Sequence, residues 1–287
     1  MNILWKLKSL IFGSIDFFDS PKILYFLQKY ITKRSQIKLL NIDPAWLRHK
    51  KALIDNNCTD FIFEFGAGKN IAQNIFLSTV VDRQLVVDLY PMLDIKLVNK
   101  VIGLLSKKIN LRSDVNIFTL NELDNYGIDY RSPYDASKTK LNSKSVDACI
   151  STNTLEHIPI KSIKSIFIEI NRILKDSGIV SAKIDYSDHY AHTDSKISRL
   201  NFLNFSDSEW KKYNHKYHYQ NRLRHYEFKK LFNECGFRVV SEELIFNEKR
   251  ISKDLLFKFK DQDRSWSATS AHWVLKKIKV KKFYNER

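Results

Sequence analysis

Ten consecutive residues hold the densest set of reactive side chains in the chain: Asp185-Tyr186-Ser187-Asp188-His189-Tyr190-Ala191-His192-Thr193-Asp194. Imidazoles that titrate near neutrality beside carboxylates suit proton transfer. Asp185, Asp188, His189, His192 and Asp194 also offer donors for a divalent cation. Their spacing is that of no fixed metal motif, so the stretch reads as an acid–base or substrate-binding loop and no metal is assigned. A second reactive cluster is Thr152-Asn153-Thr154-Leu155-Glu156-His157-Ile158-Pro159, directly after the apolar run Val146–Ser151. A third feature belongs to binding. Phe61-Ile62-Phe63-Glu64-Phe65 runs into Gly66-Ala67-Gly68-Lys69-Asn70, and Gln84-Leu85-Val86-Val87 ends in Asp88, twenty residues beyond Gly68. Glycines in such a turn let backbone approach a ligand, and an acidic residue at that distance suits a ribose hydroxyl. A nucleoside pocket follows.

These features must be positioned by strands and helices in alternation. Short apolar runs at 61–65, 85–89, 146–151 and 179–184 read as parallel strands buried on both faces. A weaker strand is expected near residues 115–119. Helices are predicted from Asn70, through Lys96–Leu105, over Ile166–Leu174, where Asp176-Ser177-Gly178 stops the chain, and over Tyr226–Cys235, closed by Gly236. Ser206-Asp207-Ser208-Glu209 carries a helix-start signal. Strands over Phe237–Phe246 and Ala271–Ile278 then pair antiparallel. The fold class is α/β: a Rossmann-like, seven-stranded, mostly parallel sheet with an antiparallel last strand, a helical N-terminal extension over 1–55, and a domain over 56–287 that carries a capping insert over 186–225.

In order and in content, these segments resemble a class I S-adenosylmethionine-dependent methyltransferase of the type found with bacterial surface-polysaccharide enzymes. The resemblance rests on Glu64-x-Gly66-x-Gly68, on Asp88, and on the stretch from Asp147 through Ser151 to Leu155-Glu156-His157-Ile158, and it runs from about residue 60 to 280. Asn70 stands where a third glycine is common, which argues against a dinucleotide, whose pyrophosphate needs closer backbone approach. The resemblance implies S-adenosylmethionine as cofactor, with Glu64, Gly66, Gly68, Asp88, Asp135 and Asn153 as its contacts. Asp135 follows Pro133 and reads equally as a turn residue.

Transfer of a methyl group from a sulfonium needs mainly alignment, and a base assists when the acceptor is a hydroxyl. His189 and His157 are the candidate bases, His189 slightly favoured, with Asp185 or Asp188 to orient it. Tyr186, Trp210, Asn221, Arg222 and Arg224 lie in an insert rich in aromatics and arginine, types that stack on sugars and pair with phosphate or carboxylate. They equally suit a small second core. The acceptor expected is a sugar in a surface glycan or its precursor. Alternatives are an RNA- or protein-directed methyltransferase and a non-catalytic binding module. The slot after strand four reads Ser151-Thr152-Asn153-Thr154, without the Asn/Asp-Pro-Pro-aromatic pattern for planar amino groups.

Of 287 residues, Lys and Arg number 48 against 32 Asp and Glu, a formal charge of +16 concentrated at the two ends. An anionic partner is one reading, and a bias in residue usage is the other; no DNA partner is expected. Cys58, Cys149 and Cys235 have no paired spacing, which implies a reducing, cytoplasmic setting. Ile3, Leu7, Leu10, Ile11, Phe17 and Phe18 share a helical face bordered by Trp5, with Lys6 and Lys8 opposite. This helix suits either peripheral contact with the inner face of a membrane or packing on its own domain. Pro21–Leu40 reads as a further basic helix, and Asp43 as the N-cap of one starting at Pro44-Ala45-Trp46. No signal peptide is read, nor any apolar run of membrane-spanning length.

Overall fold

The computed structural model describes residues 4–17, 41–248 and 250–278. The helix expected over Pro21–Leu40, the positions Ile3 and Phe18, and the basic tail beyond Ile278 lie outside the described residues.

Seven strands form one sheet: β1 Phe61–Phe65, β2 Arg83–Val87, β3 Ile128–Arg131, β4 Val146–Thr152, β5 Leu174–Asp185, β6 Phe237–Ile245 and β7 Ser270–Lys277. Their order is β3-β2-β1-β4-β5-β7-β6. The first five pair in parallel, and β7 runs antiparallel between β5 and β6. The order reverses between β1 and β4, so both strands end at one crevice, where ligands of open α/β sheets bind.

Helices cover both faces. On one side α2 (Pro44–Asp55), α3 (Ala72–Leu77) and α4 (Ile95–Leu105) bury Leu53, Ile75, Val98 and Val101 against Ile62 and Val86. On the other, α5 (Ile160–Ile173) packs Ile163, Phe167 and Ile170 against Phe63, Val180 and Trp273. The chain start is local chemistry: Asp43 accepts the Ala45 N–H and Pro44 occupies the first helical turn of α2, where no amide partner is needed.

The strand expected near 115–119 lies instead at Ile128–Arg131. Val115 and Phe118 are exposed, and the segment passes into a 3-10 turn over Leu120–Tyr126 that Gly127, at φ 66°, closes. The helix expected from Ile166 begins a turn and a half earlier, at Ile160 after Pro159, and the chain enters β5 at Leu174 without a gap.

A third cluster holds the insert together: Tyr190, Leu200, Phe202, Leu203 and Trp210 pack with Leu255 and Trp266, joined by Trp5 from α1 (Trp5–Phe17). Trp5 was expected at the border of the apolar face, but its ring lies against Tyr190, Tyr213 and Phe205. Its backbone N–H donates to Asp194 at 2.9 Å, and Lys8 Nζ donates to the His189 carbonyl at 3.0 Å. α1 thus buries Trp5, Ser9 and Ile15 and leaves Leu7, Leu10 and Phe17 exposed. Among the described residues, no helix is long and apolar enough to cross a membrane.

Candidate active site

A cleft of about 740 Å³ opens at the ends of β1, β2 and β4, lined among others by Gly66, Gly68, Asp88, Asp135, Asn153 and His157. Gly66 and Gly68 both adopt left-handed backbone, φ 78° and 76°. A Cβ on Gly66 would stand 2.3 Å from Thr154 Cγ2, so glycine is required where the β1 turn crosses the β4 turn. A Cβ on Gly68 would meet nothing within 4 Å. The Gly68 N–H points to Asp88 (3.2 Å), whose carboxylate also accepts from Tyr130 Oη at 3.0 Å. Burial pushes the Asp88 carboxyl up to about 6, against the pull of Tyr130 and Gly68. Asp135 stands at the rim, and its carboxylate accepts from the Ser137 N–H (2.8 Å) and hydroxyl (2.7 Å); these bonds hold its pKa down. The turn role and the place at the cleft coexist. Asn153, at φ 51°, donates its N–H to the Lys183 carbonyl and ends β4.

Glu64 is placed elsewhere. Its carboxylate lies under the loop, accepting from Gln73 Nε2 (2.9 Å) and Asn74 Nδ2 (2.7 Å), and it does not line the cleft. It ties β1 to α3, and burial pushes it up to about 7. Gln73 continues the chain of contacts through Thr152 to His49, and His49 reaches Ser181.

At the other end of the cleft, four imidazoles meet. His157 Nδ1 lies 2.9 Å from the Tyr219 carbonyl, an acceptor only, so Nδ1 carries the proton and Nε2 has the free lone pair. Desolvation lowers the His157 pKa, against the opposing Tyr219 carbonyl and Asp185, although the residue itself is exposed at the cleft. Its ring centroid is 4.8 Å from that of His189, which stacks on His192 at 4.7 Å and meets His218 edge-on at 6.4 Å. Asp185 Oδ2 lies 3.6 Å from His189 Nε2 and 3.5 Å from His192 Nε2, ion-pair rather than hydrogen-bond distances. Burial would raise the Asp185 carboxyl, but His189, His192 and the Ser187 hydroxyl hold it well below the usual carboxylate range. His189 itself does not line the cleft and stands behind His157.

Asp188 is not the orienting carboxylate. It is fully buried and accepts from the Tyr190 N–H (2.8 Å) and Asn201 Nδ2 (2.9 Å), bonds that shape the loop. Asp194 is held by Trp5 and Lys196 N–H groups.

None of the five residues assigned to the acceptor lines the cleft. Tyr186 is buried and its Oη accepts from Trp273 Nε1 (2.9 Å). Trp210 sits in the insert core. Arg224 is buried with donors on the carbonyls of Trp266, Tyr186 and Ala268. Arg222 donates to the carbonyls of Phe202 and Phe205 and pairs with Asp207. Asn221 Nδ2 donates to the carbonyls of Leu155 (2.7 Å) and Ile158 (2.9 Å), bracing the turn that carries His157. Asn221, Arg222 and Arg224 share one physical reason: irregular backbone leaves carbonyls that a buried chain must satisfy, and Arg and Asn supply several donors each. Glu156, missed in the sequence, is buried beside His157 and carries two carboxylate oxygens without a hydrogen-bond partner.

Residues 121–182 match the family model described as "Methyltransferase domain". The match covers β3, β4, α5 and most of β5, including Asp135, Asn153 and His157. The matched stretch is similar to a methyltransferase domain, and it lies on a sheet whose order reverses beside β4. No curated protein matches in sequence. Among solved structures, the chain is similar to an S-adenosylmethionine-dependent methyltransferase from Clostridium acetobutylicum (12% identity, 90% of this chain and 98% of that chain, TM-score 0.48). It is also similar to 1,6-didemethyltoxoflavin-N1-methyltransferase of Burkholderia thailandensis, with bound 1,6-didemethyltoxoflavin and S-adenosylhomocysteine (11%, 82% and 79%, 0.49). A third is an S-adenosylmethionine-dependent methyltransferase from Mesorhizobium loti (12%, 81% and 98%, 0.45).

Proposed function

We propose that the protein methylates a hydroxyl group of a polar acceptor, a sugar of a surface glycan or its precursor, with His157 receiving the proton. The observation that carries this reading is the His157 ring in the wall of the cleft that begins at Gly66, Gly68 and Asp88, with Nδ1 on the Tyr219 carbonyl and Nε2 left to accept a proton. S-adenosylmethionine supplies the electrophilic methyl group on a sulfonium. Gly66 and Gly68 would leave room for it, Asp88 would accept hydrogen bonds from its ribose, and Asp135 and Asn153 would border it. His157 would receive the proton of the acceptor hydroxyl at Nε2 and leave that oxygen able to take up the methyl group. Asp185 and His189 stand behind His157, and the Asp185 carboxylate would favour its protonated ring. Ser162, Ser165 and Lys161 at the cleft support a polar acceptor. The exposed Leu7, Leu10 and Phe17 of α1 support peripheral contact with a lipid surface on the cytoplasmic side, where lipid-linked glycan precursors lie.

Transfer of label from methyl-labelled S-adenosylmethionine to a panel of nucleotide sugars, lipid-linked glycans, RNA and protein tests the reading. Base-stable label on sugar hydroxyls is expected. Label on RNA or on protein side chains alone would overturn the acceptor class.

Asp88 provides a test on the cofactor side. A carboxyl raised from 3.8 to about 6 on folding costs stability once pH exceeds the unfolded value, and the full cost is present above about 6. Asp88→Asn is therefore expected to raise the melting temperature of the ligand-free chain at neutral pH. The same change removes charge-assisted ribose contacts of roughly 1.5–3 kcal/mol each, so calorimetry is expected to find S-adenosylmethionine bound about tenfold more weakly or worse. Unchanged affinity would free Asp88 from the cofactor site.

A further inference from the structure

Two groups of donors meet at His189. Glu156, His157 and His189 form one, Asp185, His189 and His192 the other, and in each the donor atoms lie within 4.8 Å of one another. We propose that this cluster is a divalent metal site, anchored by His189 and the carboxylates of Glu156 and Asp185 and flanked by His157 and His192. Spacing alone gave no metal because the donors come from separate segments: Glu156 and His157 from the turn after β4, Asp185 from the end of β5, and His189 and His192 from the loop that follows.

Two observations support it. Glu156 is 2% exposed, and neither of its carboxylate oxygens has a hydrogen-bond partner. Leaving a buried acceptor unsatisfied costs about 1–3 kcal/mol, more for a charged group. His189 Nε2 is buried and unpartnered as well, with Asp185 Oδ2 too distant to accept from it. A divalent cation satisfies all of these groups together. With bonds of about 2.0–2.2 Å, donors facing across an ion stand a little over about 4 Å apart, so a small inward shift completes the site. Imidazole with carboxylate selects a borderline transition ion of the zinc, manganese, cobalt or iron(II) type.

Such an ion deepens the proposed methyl transfer and rests on it for its role: beside the cleft wall it lowers the pKa of an acceptor hydroxyl that reaches it. Its binding is measured without that reaction. Protein stripped with a chelator and desalted is titrated with Co²⁺, and visible ligand-field absorption is followed. Saturation at one equivalent per chain is expected. His189→Ala and Asp185→Asn are expected to weaken Co²⁺ by more than the about 10–100-fold that loss of a supporting partner costs. Glu156→Gln, near in shape, should shift the absorption, while His225→Gln, a buried histidine elsewhere, should not. Substoichiometric binding by the wild type, or variants within about twofold of it, would overturn the site. Each variant is also titrated with S-adenosylmethionine by calorimetry. Retained cofactor binding shows an intact fold, and a wild type that binds Co²⁺ but no S-adenosylmethionine sinks the methyltransferase reading while leaving the metal site standing.

Discussion

His157→Ala lowers turnover by about 10²–10⁴-fold, the usual contribution of a positioned base, and leaves S-adenosylmethionine affinity nearly unchanged. The expectation rests on its place: the ring lines the cleft, Tyr219 fixes its tautomer, and the cofactor side of the cleft is built by other residues. The pH profile checks it. Burial lowers the pKa of His157 from 6.5, so activity should hold as pH falls through 6.5 and decline only below it. In the variant that limb should vanish. His189→Ala should fall in the same direction, since His189 and Asp185 back His157 from the interior. Full activity in His157→Ala would remove the ring from the mechanism.

Gly66→Val is expected to abolish cofactor binding. A Cβ there would stand 2.3 Å from Thr154 Cγ2 and 2.5 Å from Thr154 Oγ1, at φ +78°, so the β1 turn must move off the β4 turn to admit any side chain. Gly68 separates the two sources of damage. With open space around its Cβ position, Gly68→Ala carries only the left-handed backbone cost, about 1–2 kcal/mol. Thermal unfolding should therefore show Gly66→Ala far less stable than Gly68→Ala, although both alter the cofactor loop. Equal losses would mean that contact with Thr154 is not the constraint.

The fold was legible where burial on two faces leaves no choice of residue. β1, β2, β4 and the core of β5 read as apolar runs because helices cover both their sides. β3 did not, since Ile128-Asp129-Tyr130-Arg131 is a four-residue edge strand with one fully buried side chain, and Ile117 lent a strand-like look to a loop. The cofactor turn was legible because positive φ and close approach demand glycine, whereas Glu64 looked like a ligand contact and is a strap between β1 and α3. The insert was misleading for a chemical reason: arginine and aromatic side chains serve a sugar and a small irregular core with the same donors and the same flat faces. Only tertiary contacts reveal that Arg222 and Arg224 address backbone carbonyls. Glu156 had no signal of its own, because an orphan carboxylate is a property of what surrounds it.

The attachment of α1 bears on how the protein can be handled. Asp194 holds the Trp5 N–H, and Lys8 holds the carbonyl of His189 itself, so the leading helix is a buttress for the histidine loop rather than a dispensable overhang. Trimming Trp5–Phe17 to improve solubility, or fusing a bulky tag close to Trp5, strikes the reactive end of the molecule from more than a hundred and seventy positions away in the chain.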